Sequence, residues 1–255
     1  MINKIIDPNI VTSKMFSMPW SIYPYANYLK YGINNSFYSI FTINHVVFTQ
    51  YHDSIQVCSE TISIEEAKEI SLFIIENNIR MASGSSQAMH LIFPLLNKGR
   101  IEDGLIFEFT DFECDKDYLI NYAKDKETFL KIASLVCKAN SSNTGYYALE
   151  QYFNQIYDRY SEGYCRNWVY SDDKDNIIGH IATYAETDSY AVLGGLAVDD
   201  NYRGQGIAKA LLKHSINDLL KENKTIYAFG YNKNLYIFYK SISKQTYPAC
   251  KIMLK

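Results

Sequence analysis

A glycine-containing segment in the last third of the chain has the composition of an anion-binding loop. It reads Arg203-Gly204-Gln205-Gly206-Ile207-Ala208 and lies between a predicted strand and a predicted amphipathic helix. Glycine lets the backbone adopt positive φ and approach a ligand closely, and the first amides of a helix have no acceptor within it. Those amides and the helix dipole can together hold a pyrophosphate group.

The loop differs from two common phosphate-binding motifs. A dinucleotide fingerprint needs a third glycine or an alanine where this chain has Lys209, and the preceding strands do not follow a βαβ order. A P-loop needs Gly-Lys-Ser/Thr after the turn, and this sequence lacks it. On the loop alone, an ordinary turn before a helix stays open as the alternative.

The strand before the loop supplies further context. Leu196-Ala197-Val198, followed by Arg203-x-x-Gly206-x-Ala208, resembles the acetyl-CoA motif of the GNAT N-acetyltransferase superfamily, whose pattern is Arg/Gln-x-x-Gly-x-Gly/Ala. The resemblance implies acetyl-CoA as co-substrate. The cofactor-binding residues that it implies are Leu196, Ala197, Val198, Arg203, Gly204, Gln205, Gly206, Ile207, Ala208 and Lys209.

A second family feature follows at a matching distance, where Asn232 stands seven residues before Tyr239. The resemblance implies that Asn232 binds the cofactor and that Tyr239 lies beside the sulfur. We therefore expect Tyr239 to be the catalytic acid that protonates the departing CoA thiolate. The chain departs from the family pattern at 242–244, where Ile-Ser-Lys replaces the usual Gly-Phe and alters the acceptor side.

The implied mechanism lacks its usual general base, because the Glu that often precedes the Asn would fall at Tyr227. Pantetheine would pair with the backbone of 196–198, and the Val198 N–H would polarise the thioester carbonyl. An alkylammonium has a pKa near ~10.4, so the acceptor must lose a proton to a base or to water. Glu186, Asp188 and His180 are the candidates, and each also fits an ordinary surface or core position.

The residues around the loop also predict the elements that position it. The longest amphipathic helix runs over 206–222, because Ile207, Leu211, Leu212, Ile216, Leu219 and Leu220 form one apolar stripe. An antiparallel meander is predicted before it. The other elements of this half are strands at 118–123, 164–170, 177–185, 190–198, 225–230 and 247–254, helices at 126–138, 146–161 and 233–242, and a loop at 141–145.

The first part of the chain predicts a smaller set of alternating elements. Ser63 and Glu66 have capping-box spacing, which predicts that a helix begins there. The other elements are strands at 37–41, 45–50, 55–58, 79–82 and 105–110, a turn at 84–86 and a helix at 87–96. This half has no Arg-x-x-Gly-x-Ala loop. It more loosely resembles the degenerate GNAT-like half of some two-domain bacterial acetyltransferases.

We place the domain boundary in the acidic stretch at 111–117, which gives an N-terminal α+β domain at 1–114 and a catalytic domain at 115–255. The predicted fold class is α+β. The resemblance implies a GNAT fold, with a mixed, mostly antiparallel central sheet flanked by helices, preceded by the smaller α+β domain.

Composition limits the class of protein. With 47% hydrophobic and 21% charged residues the chain is typical of a globular protein. A net charge of −3 and a pI near 6.0 give no general basic field for nucleic acid. The five cysteines include no Cys-x-x-Cys pair, so we expect free thiols and no metal site. We find no signal peptide and no membrane-spanning run, and expect a cytoplasmic protein.

The resemblance to the GNAT superfamily implies an N-acetyltransferase that moves an acetyl group from acetyl-CoA to a primary amine. The acceptor is expected to be a small molecule, with neither nucleic acid nor membrane as a partner, and a homodimer stays open. Two alternatives also stay open: a catalytically impaired CoA-binding or sensing protein, and an acyltransferase that acts on a peptide amine.

Overall fold

The computed structural model describes residues 1–33, 35–114, 116, 118–139, 149–231 and 233–254, with only the backbone for 233 and 234. The chain divides into two compact units. Unit 1 comprises Met1–Glu108 and Phe229–Lys255, and unit 2 comprises Phe109–Ala228. This division differs from the expected boundary at 114/115 because the end of the chain groups with unit 1.

Unit 1 contains seven strands and four helices in the described part of the chain, besides short 3-10 turns. The strands are β1 (Asn3–Lys4), β2 (Tyr38–Ile43), β3 (Val46–Tyr51), β4 (Ser54–Val57), β5 (Met81–Ser85), β6 (Arg100–Phe109) and β12 (Ser243–Met253). The helices are α1 (Ile22–Tyr31), α2 (Ile64–Glu76), α3 (Ser86–Ile92) and α7 (Lys233–Lys240).

The sheet of unit 1 has the strand order β1-β2-β3-β4-β5-β12-β6. Strands β2 to β4 form the predicted antiparallel meander, and β4 pairs with β5 in parallel. The C-terminal strand β12 pairs antiparallel with β5, with Cys250 opposite Gly84. This pairing explains why the end of the chain belongs to unit 1, and α2 and α3 cover a core that includes Ile70, Met89 and Cys250.

Unit 2 contains the elements on either side of the glycine-containing segment at 203–208. Its strands are β7 (Asn121–Tyr122), β8 (Asn167–Ser171), β9 (Ile177–Glu186), β10 (Tyr190–Val198) and β11 (Thr225–Gly230), of which β11 ends just beyond the unit. Its helices are α4 (Lys126–Ala139), α5 (Leu149–Ser161) and α6 (Ile207–Leu220). The loop predicted at 141–145 lies outside the described residues.

The sheet of unit 2 has the order β11-β10-β9-β8-β7. Strands β8, β9 and β10 form the predicted antiparallel meander, whereas β10 and β11 are parallel. Side chains of a strand point alternately to the two faces of its sheet, and helices cover both faces of this one. Val169 and Ala197 pack against α4 and α5, and Gly179 lies against α6 on the other face.

Several sequence predictions differ from the structure. The chain forms α1 at Ile22–Tyr31, where no helix was predicted. The turn expected at 84–86 is wrong, because Gly84 and Ser85 complete β5 and the Ser85 side chain then caps α3. The strand expected at 118–123 is reduced to Asn121–Tyr122. The capping box of Ser63 and Glu66 is confirmed at the start of α2.

None of the helices in the described part of the chain combines the length and the apolar content that crossing a bilayer requires.

Candidate functional site

Strand β10 leads into the glycine loop and changes its pairing along its length. Its first half pairs in parallel with β11, from Tyr190 opposite Thr225 to Leu193 opposite Ala228. On its other side β10 pairs antiparallel with β9 from Ala191 to Val198, and the register of that pair shifts between Gly194 and Ala197. We call residues 194–197 the β10 bulge, because a register shift marks an extra residue that bends the strand and re-aims its backbone groups.

Two glycines make the β10 bulge feasible. Gly195 has φ of +64°, a conformation that residues with a side chain rarely adopt. At Gly194 a β-carbon would lie 2.7 Å from ring atoms of Tyr184, so only glycine leaves room for that ring. The bulge therefore depends on Gly194, Gly195 and the tyrosine that packs against them.

The buried imidazole of His180 fixes the carbonyl of Gly195. Its Nδ1 lies 2.8 Å from that carbonyl oxygen, and its Nε2 lies 3.0 Å from Oδ1 of Asn167. Burial lowers the pKa of His180 to about 4, against a smaller opposing effect of the Gly195 hydrogen bond. The ring is therefore neutral near pH 7, and Nδ1 carries the proton, because a carbonyl oxygen can only accept.

A neutral His180 has consequences for Asn167. Nε2 of the neutral His180 ring presents a lone pair, which needs a hydrogen-bond donor, whereas the atom that faces it is the carboxamide oxygen of Asn167. The amide nitrogen of Asn167 is buried and, among the described residues, has no hydrogen-bond partner. Turning the carboxamide end for end gives Nε2 its donor, so the Asn167–His180 pair acts as a support for the β10 bulge.

The glycine loop, residues 203–206, is open to solvent, and hydrogen bonds to Asp199 anchor the turn that leads into it. Asp199 accepts from the backbone N–H of Asn201 at 3.0 Å and from Lys138 Nζ at 2.9 Å. Arg203 pairs with Asp200 at 2.7 Å, and both side chains are more than half exposed. Gly204 has φ of +77° and open space around it.

The end of the glycine loop leaves the start of α6 uncapped. Gly206 has φ of +91° and is the N-cap residue, with no side-chain hydrogen bond to the first turn. Helical geometry leaves the N–H groups of Ile207, Ala208 and Lys209 without helical acceptors. The Ile207 side chain is buried, whereas Ala208 and Lys209 are half-buried. The arrangement can bind an anion through backbone amides.

Two side chains from the segment before β7 hold the glycine loop in place. The carbonyl oxygen of Gln205 accepts from Lys116 Nζ at 2.7 Å and from the Tyr118 hydroxyl at 2.8 Å. The Lys116 chain also passes close to Gly206, where a β-carbon would lie 3.3 Å from its Cδ. No sequence pattern indicated these contacts, which join residues 89 and 87 positions apart.

A third glycine sets the position of α6 on the sheet. Gly179 on β9 lies opposite Val198. A β-carbon at Gly179 would come within 2.9 Å of side-chain atoms of both Ile207 and Leu211. The first turn of α6 therefore lies directly on the sheet beside the end of β10, and the sequence pattern did not indicate this role.

Two of the predicted bases serve structural roles. Glu186 accepts from Arg166 at 2.6 and 3.0 Å, from Lys224 at 3.1 Å and from the Thr183 hydroxyl at 2.6 Å. Burial alone would raise the pKa of Glu186, but the Arg166 and Thr183 hydrogen bonds lower it below its usual value. His180 is fully buried and committed to Gly195. Asp188 is exposed in the β9–β10 turn.

Two tyrosine hydroxyls lie beside the β10 bulge instead. The hydroxyls of Tyr152 and Tyr184 are 3.3 Å apart. A β-carbon at Gly195 would lie 3.0 Å from the Tyr184 hydroxyl and 3.4 Å from that of Tyr152. Burial, followed by the neighbouring Tyr184, raises the pKa of Tyr152 well above its usual value. Both groups were missed by sequence reasoning, since tyrosine is common throughout this chain.

The remaining predicted site residues belong to unit 1 or lie outside the description. Tyr239 is on α7 in unit 1, is 2% exposed, and its ring packs 5.4 Å from that of Phe107. Asn232 lies outside the described residues. Tyr227, at the position of the family's usual base, is buried on β11. Unit 2 thus brings together 196–198 and 203–209, the part of the prediction that concerns the cofactor.

Unit 2 therefore has a bulged strand that leads through a glycine loop into an uncapped helix, on a mixed and mostly antiparallel sheet. The model of the acetyltransferase (GNAT) family matches residues 135–242. Through this segment the chain is similar to the acetyltransferase (GNAT) family, and an acyl-transfer function is supported.

Solved structures extend the likeness of fold to nearly the whole chain. An acetyltransferase from the GNAT family of Colwellia psychrerythraea is similar with a TM-score of 0.57, 12% identity and 100% coverage of both chains. A GCN5-related N-acetyltransferase from Kribbella flavida has a TM-score of 0.62 and 10% identity, covering 91% of this chain and 95% of its own.

A GCN5-related N-acetyltransferase-like protein from Streptococcus suis is also similar, with a TM-score of 0.55 and 13% identity over 94% of this chain and 96% of its own. At such identities these structures establish the fold alone. A search of curated protein sequences found no match.

Proposed function

We propose that this protein transfers the acetyl group of acetyl-CoA to a primary amine of a small-molecule acceptor. The observation that carries the proposal is the uncapped start of α6 behind Gly206, directly after the bulged end of β10. Similarity to the GNAT family over residues 135–242 supports acyl transfer, and acetyl-CoA is the donor that the family uses.

In this proposal the pyrophosphate of acetyl-CoA lies against the backbone amides that follow Gly206. Residues 203–209, which comprise the glycine loop and the start of α6, are the proposed cofactor-binding residues here. Lys116 and Tyr118 hold the Gln205 carbonyl. Because C=O and N–H are opposed across a trans peptide, this leaves the Gly206 N–H directed away from them. The loop amides are thus preorganised for an anion before it arrives.

The thioester arm would extend along Leu196, Ala197 and Val198, with the Val198 N–H polarising the thioester carbonyl. The His180 hydrogen bond to Gly195 would keep the backbone of the β10 bulge in register for that contact. Fixed donors of this kind stabilise the tetrahedral intermediate because they need no reorganisation during the reaction. Tyr239 is proposed as the acid that protonates the departing CoA thiolate, and Asn232 as a further cofactor contact.

The acceptor must still lose a proton, and two of the three predicted bases, the Glu186 carboxylate and the His180 imidazole, are already engaged, while Asp188 lies exposed in the β9–β10 turn. Glu186 is held by Arg166 and Lys224, and His180 by Gly195. We therefore propose that the proton leaves through water beside the Tyr152 and Tyr184 hydroxyls. The raised pKa of Tyr152 keeps that hydroxyl a neutral hydrogen-bonding group.

A second function, binding of acetyl-CoA without chemistry, is favoured by one observation, the engagement of both Glu186 and His180. Release of free thiol from acetyl-CoA, measured across a panel of amino sugars, polyamines, amino acids and a peptide with a free amino terminus, separates the alternatives. Amine-dependent thiol release from a small-molecule acceptor supports the proposal. Release with the peptide alone reassigns the acceptor, and acetyl-CoA binding without release from any amine would falsify the transferase.

A further inference from the structure

Three potential metal ligands converge at one surface position of unit 1, remote in sequence from the glycine loop. They are His90 on α3, Asp103 on β6 and Cys250 on β12. One ligand atom of each lies within 4.8 Å of the other two, and Nε2 of His90 is 3.6 Å from Oδ1 of Asp103. Among the residues that the structure describes, this is the one group of three such side chains that meets this distance.

The fold of unit 1 brings these residues together. Cys250 lies opposite Gly84 in the β5–β12 pair, and α3 begins just after β5 with its Ser85 cap. A β-carbon on Gly84 would come within 3.3 Å of Met89, so glycine lets α3 lie close to the sheet. His90 follows Met89 on α3, and one of its ring nitrogens lies within 4.8 Å of the Cys250 sulfur.

The orientation of the His90 ring is that of a metal ligand. Its Nδ1 lies 2.8 Å from the backbone carbonyl oxygen of Ser86. Since a carbonyl oxygen can only accept, Nδ1 carries a proton, and Nε2 is the ring nitrogen that faces Asp103. Metal-bound histidines characteristically donate their other ring N–H to a carbonyl or carboxylate in this way.

The same geometry argues against a catalytic Cys-His-Asp triad. In a triad the imidazole bridges the two partners, with one ring nitrogen facing the nucleophile and the other facing the carboxylate. Here Nδ1 is engaged by the Ser86 carbonyl and Nε2 faces Asp103, which leaves no ring nitrogen to take a proton from the Cys250 thiol. Convergence of nitrogen, oxygen and sulfur on one point instead suits a single cation.

The distances and the donor set fit zinc. Zinc bonds of about 2.0–2.3 Å in a tetrahedral site place neighbouring ligand atoms roughly 3.3–3.8 Å apart. The His90–Asp103 separation is already in that range, and the cysteine sulfur needs a movement of about 1 Å at most to join them. A thiolate and an imidazole select zinc over magnesium or calcium, which prefer oxygen ligands.

We propose that His90, Asp103 and Cys250 form a zinc site with three protein ligands and solvent in the fourth position. The side chains of His90 and Asp103 are 51% and 69% exposed, so the ion would be reached from solvent, whereas Cys250 is fully buried beneath. Binding ties α3 to β6 and β12. The inference does not depend on the proposed acetyl transfer, because all three ligands belong to unit 1.

Cobalt titration of the full-length, chelator-treated protein tests the site. We expect one equivalent of Co²⁺ to produce a thiolate-to-cobalt charge-transfer band and the strong visible bands of tetrahedral cobalt, both removed by one equivalent of Zn²⁺. His90→Ala and Cys250→Ala should each abolish the charge-transfer band. His45→Ala and Cys114→Ala, which alter a histidine and a cysteine elsewhere, should leave it unchanged.

Asp103→Asn adds an exposed variant that does not disturb the core, and we expect it to weaken Co²⁺ binding at least about tenfold. The proposal is overturned if the wild-type protein gives no charge-transfer band at one equivalent. It is equally overturned if folded His90→Ala, judged by circular dichroism, keeps the wild-type band and affinity.

Discussion

The ammonium group of Lys116 lies 2.7 Å from the carbonyl oxygen of Gln205, and its side chain passes over Gly206. The contact joins a segment that precedes β7 to the loop that precedes α6. It fixes the peptide plane between Gln205 and Gly206, and with it the direction of the amide that follows. Lys116 can thus contribute to cofactor affinity without contacting a phosphate group.

Lys116→Met should raise the KM for acetyl-CoA about three- to tenfold while changing kcat little, because an exposed charge-assisted hydrogen bond contributes roughly 1 kcal/mol. Steady-state kinetics with varied acetyl-CoA gives both constants. Lys221→Met, which alters an exposed lysine at the far end of α6 that pairs with Asp218, is the matched control. Equal KM values for the two variants would contradict the role assigned to Lys116.

Gly194→Ala should lower the free energy of unfolding by about 1–3 kcal/mol and reduce turnover, because the new β-carbon overlaps the Tyr184 ring. Removing the ring should relieve the clash. In a Tyr184→Ala background we therefore expect the same substitution to cost less, which a double-mutant cycle by urea denaturation measures. Additive effects of the two changes would show that the ring does not restrict position 194.

The pH dependence of stability should contain a component from His180. Its pKa is about 4 when folded and about 6.5 when unfolded, so the unfolded chain binds more protons between these values. Stability is then lost as pH falls, by about 2 kcal/mol between pH 7 and pH 5. In His180→Gln this component should be missing from urea denaturation curves, whereas His214→Gln should retain it. If the free energy of unfolding changed equally with pH in wild type, His180→Gln and His214→Gln, the assignment to His180 would be refuted.

Tyr239→Phe tests the proposed catalytic acid. We expect turnover to fall by about an order of magnitude or more, since general acid catalysis contributes at least that much, while acetyl-CoA affinity stays nearly intact. Tyr236→Phe, on the same helix, is the control. Unchanged turnover in Tyr239→Phe would remove that hydroxyl from the mechanism and leave its burial beside Phe107 as its role.

Elements with a local signal were predicted closely from the sequence. Strands β10 and β11 have the predicted bounds, and α6 matches its apolar stripe to within two residues at each end. The Ser63 capping box was readable because its two partners are three residues apart. In each case the information lies within one turn or one strand of the element that it specifies.

Helix α1 had no comparable signal. It contains Pro24 and several tyrosines, and its buried positions include the polar Asn27, whereas Leu29 is 54% exposed. An apolar stripe of period 3.6 is therefore obscured, and packing against β2 and neighbouring turns determines the helix instead. Helix α1 could not be predicted because its tyrosines are amphipathic and do not mark an apolar or a polar face.

The supports of the candidate site were also beyond sequence reasoning. Lys116 and Gln205 are 89 residues apart, and the partners of the His180–Gly195 contact lie on different strands. Such contacts depend on register and on the bulge, neither of which has a side-chain pattern. The close approaches at Gly179 and Gly194 were likewise not predicted, because a glycine in a strand does not show which atoms pack against it.

Calorimetric titration with acetyl-CoA tests the central claim, the role of the Gly206 loop, most directly. Gly206→Leu and Gly163→Leu both introduce a side chain at positive φ, with φ of +91° and +70° in the parent, but Gly163 lies in a turn after α5. The account predicts saturable binding to wild type and Gly163→Leu, and at least about 100-fold weaker binding to Gly206→Leu, because a side chain there keeps the pyrophosphate from the amides. Equal affinities of Gly206→Leu and wild type would contradict it.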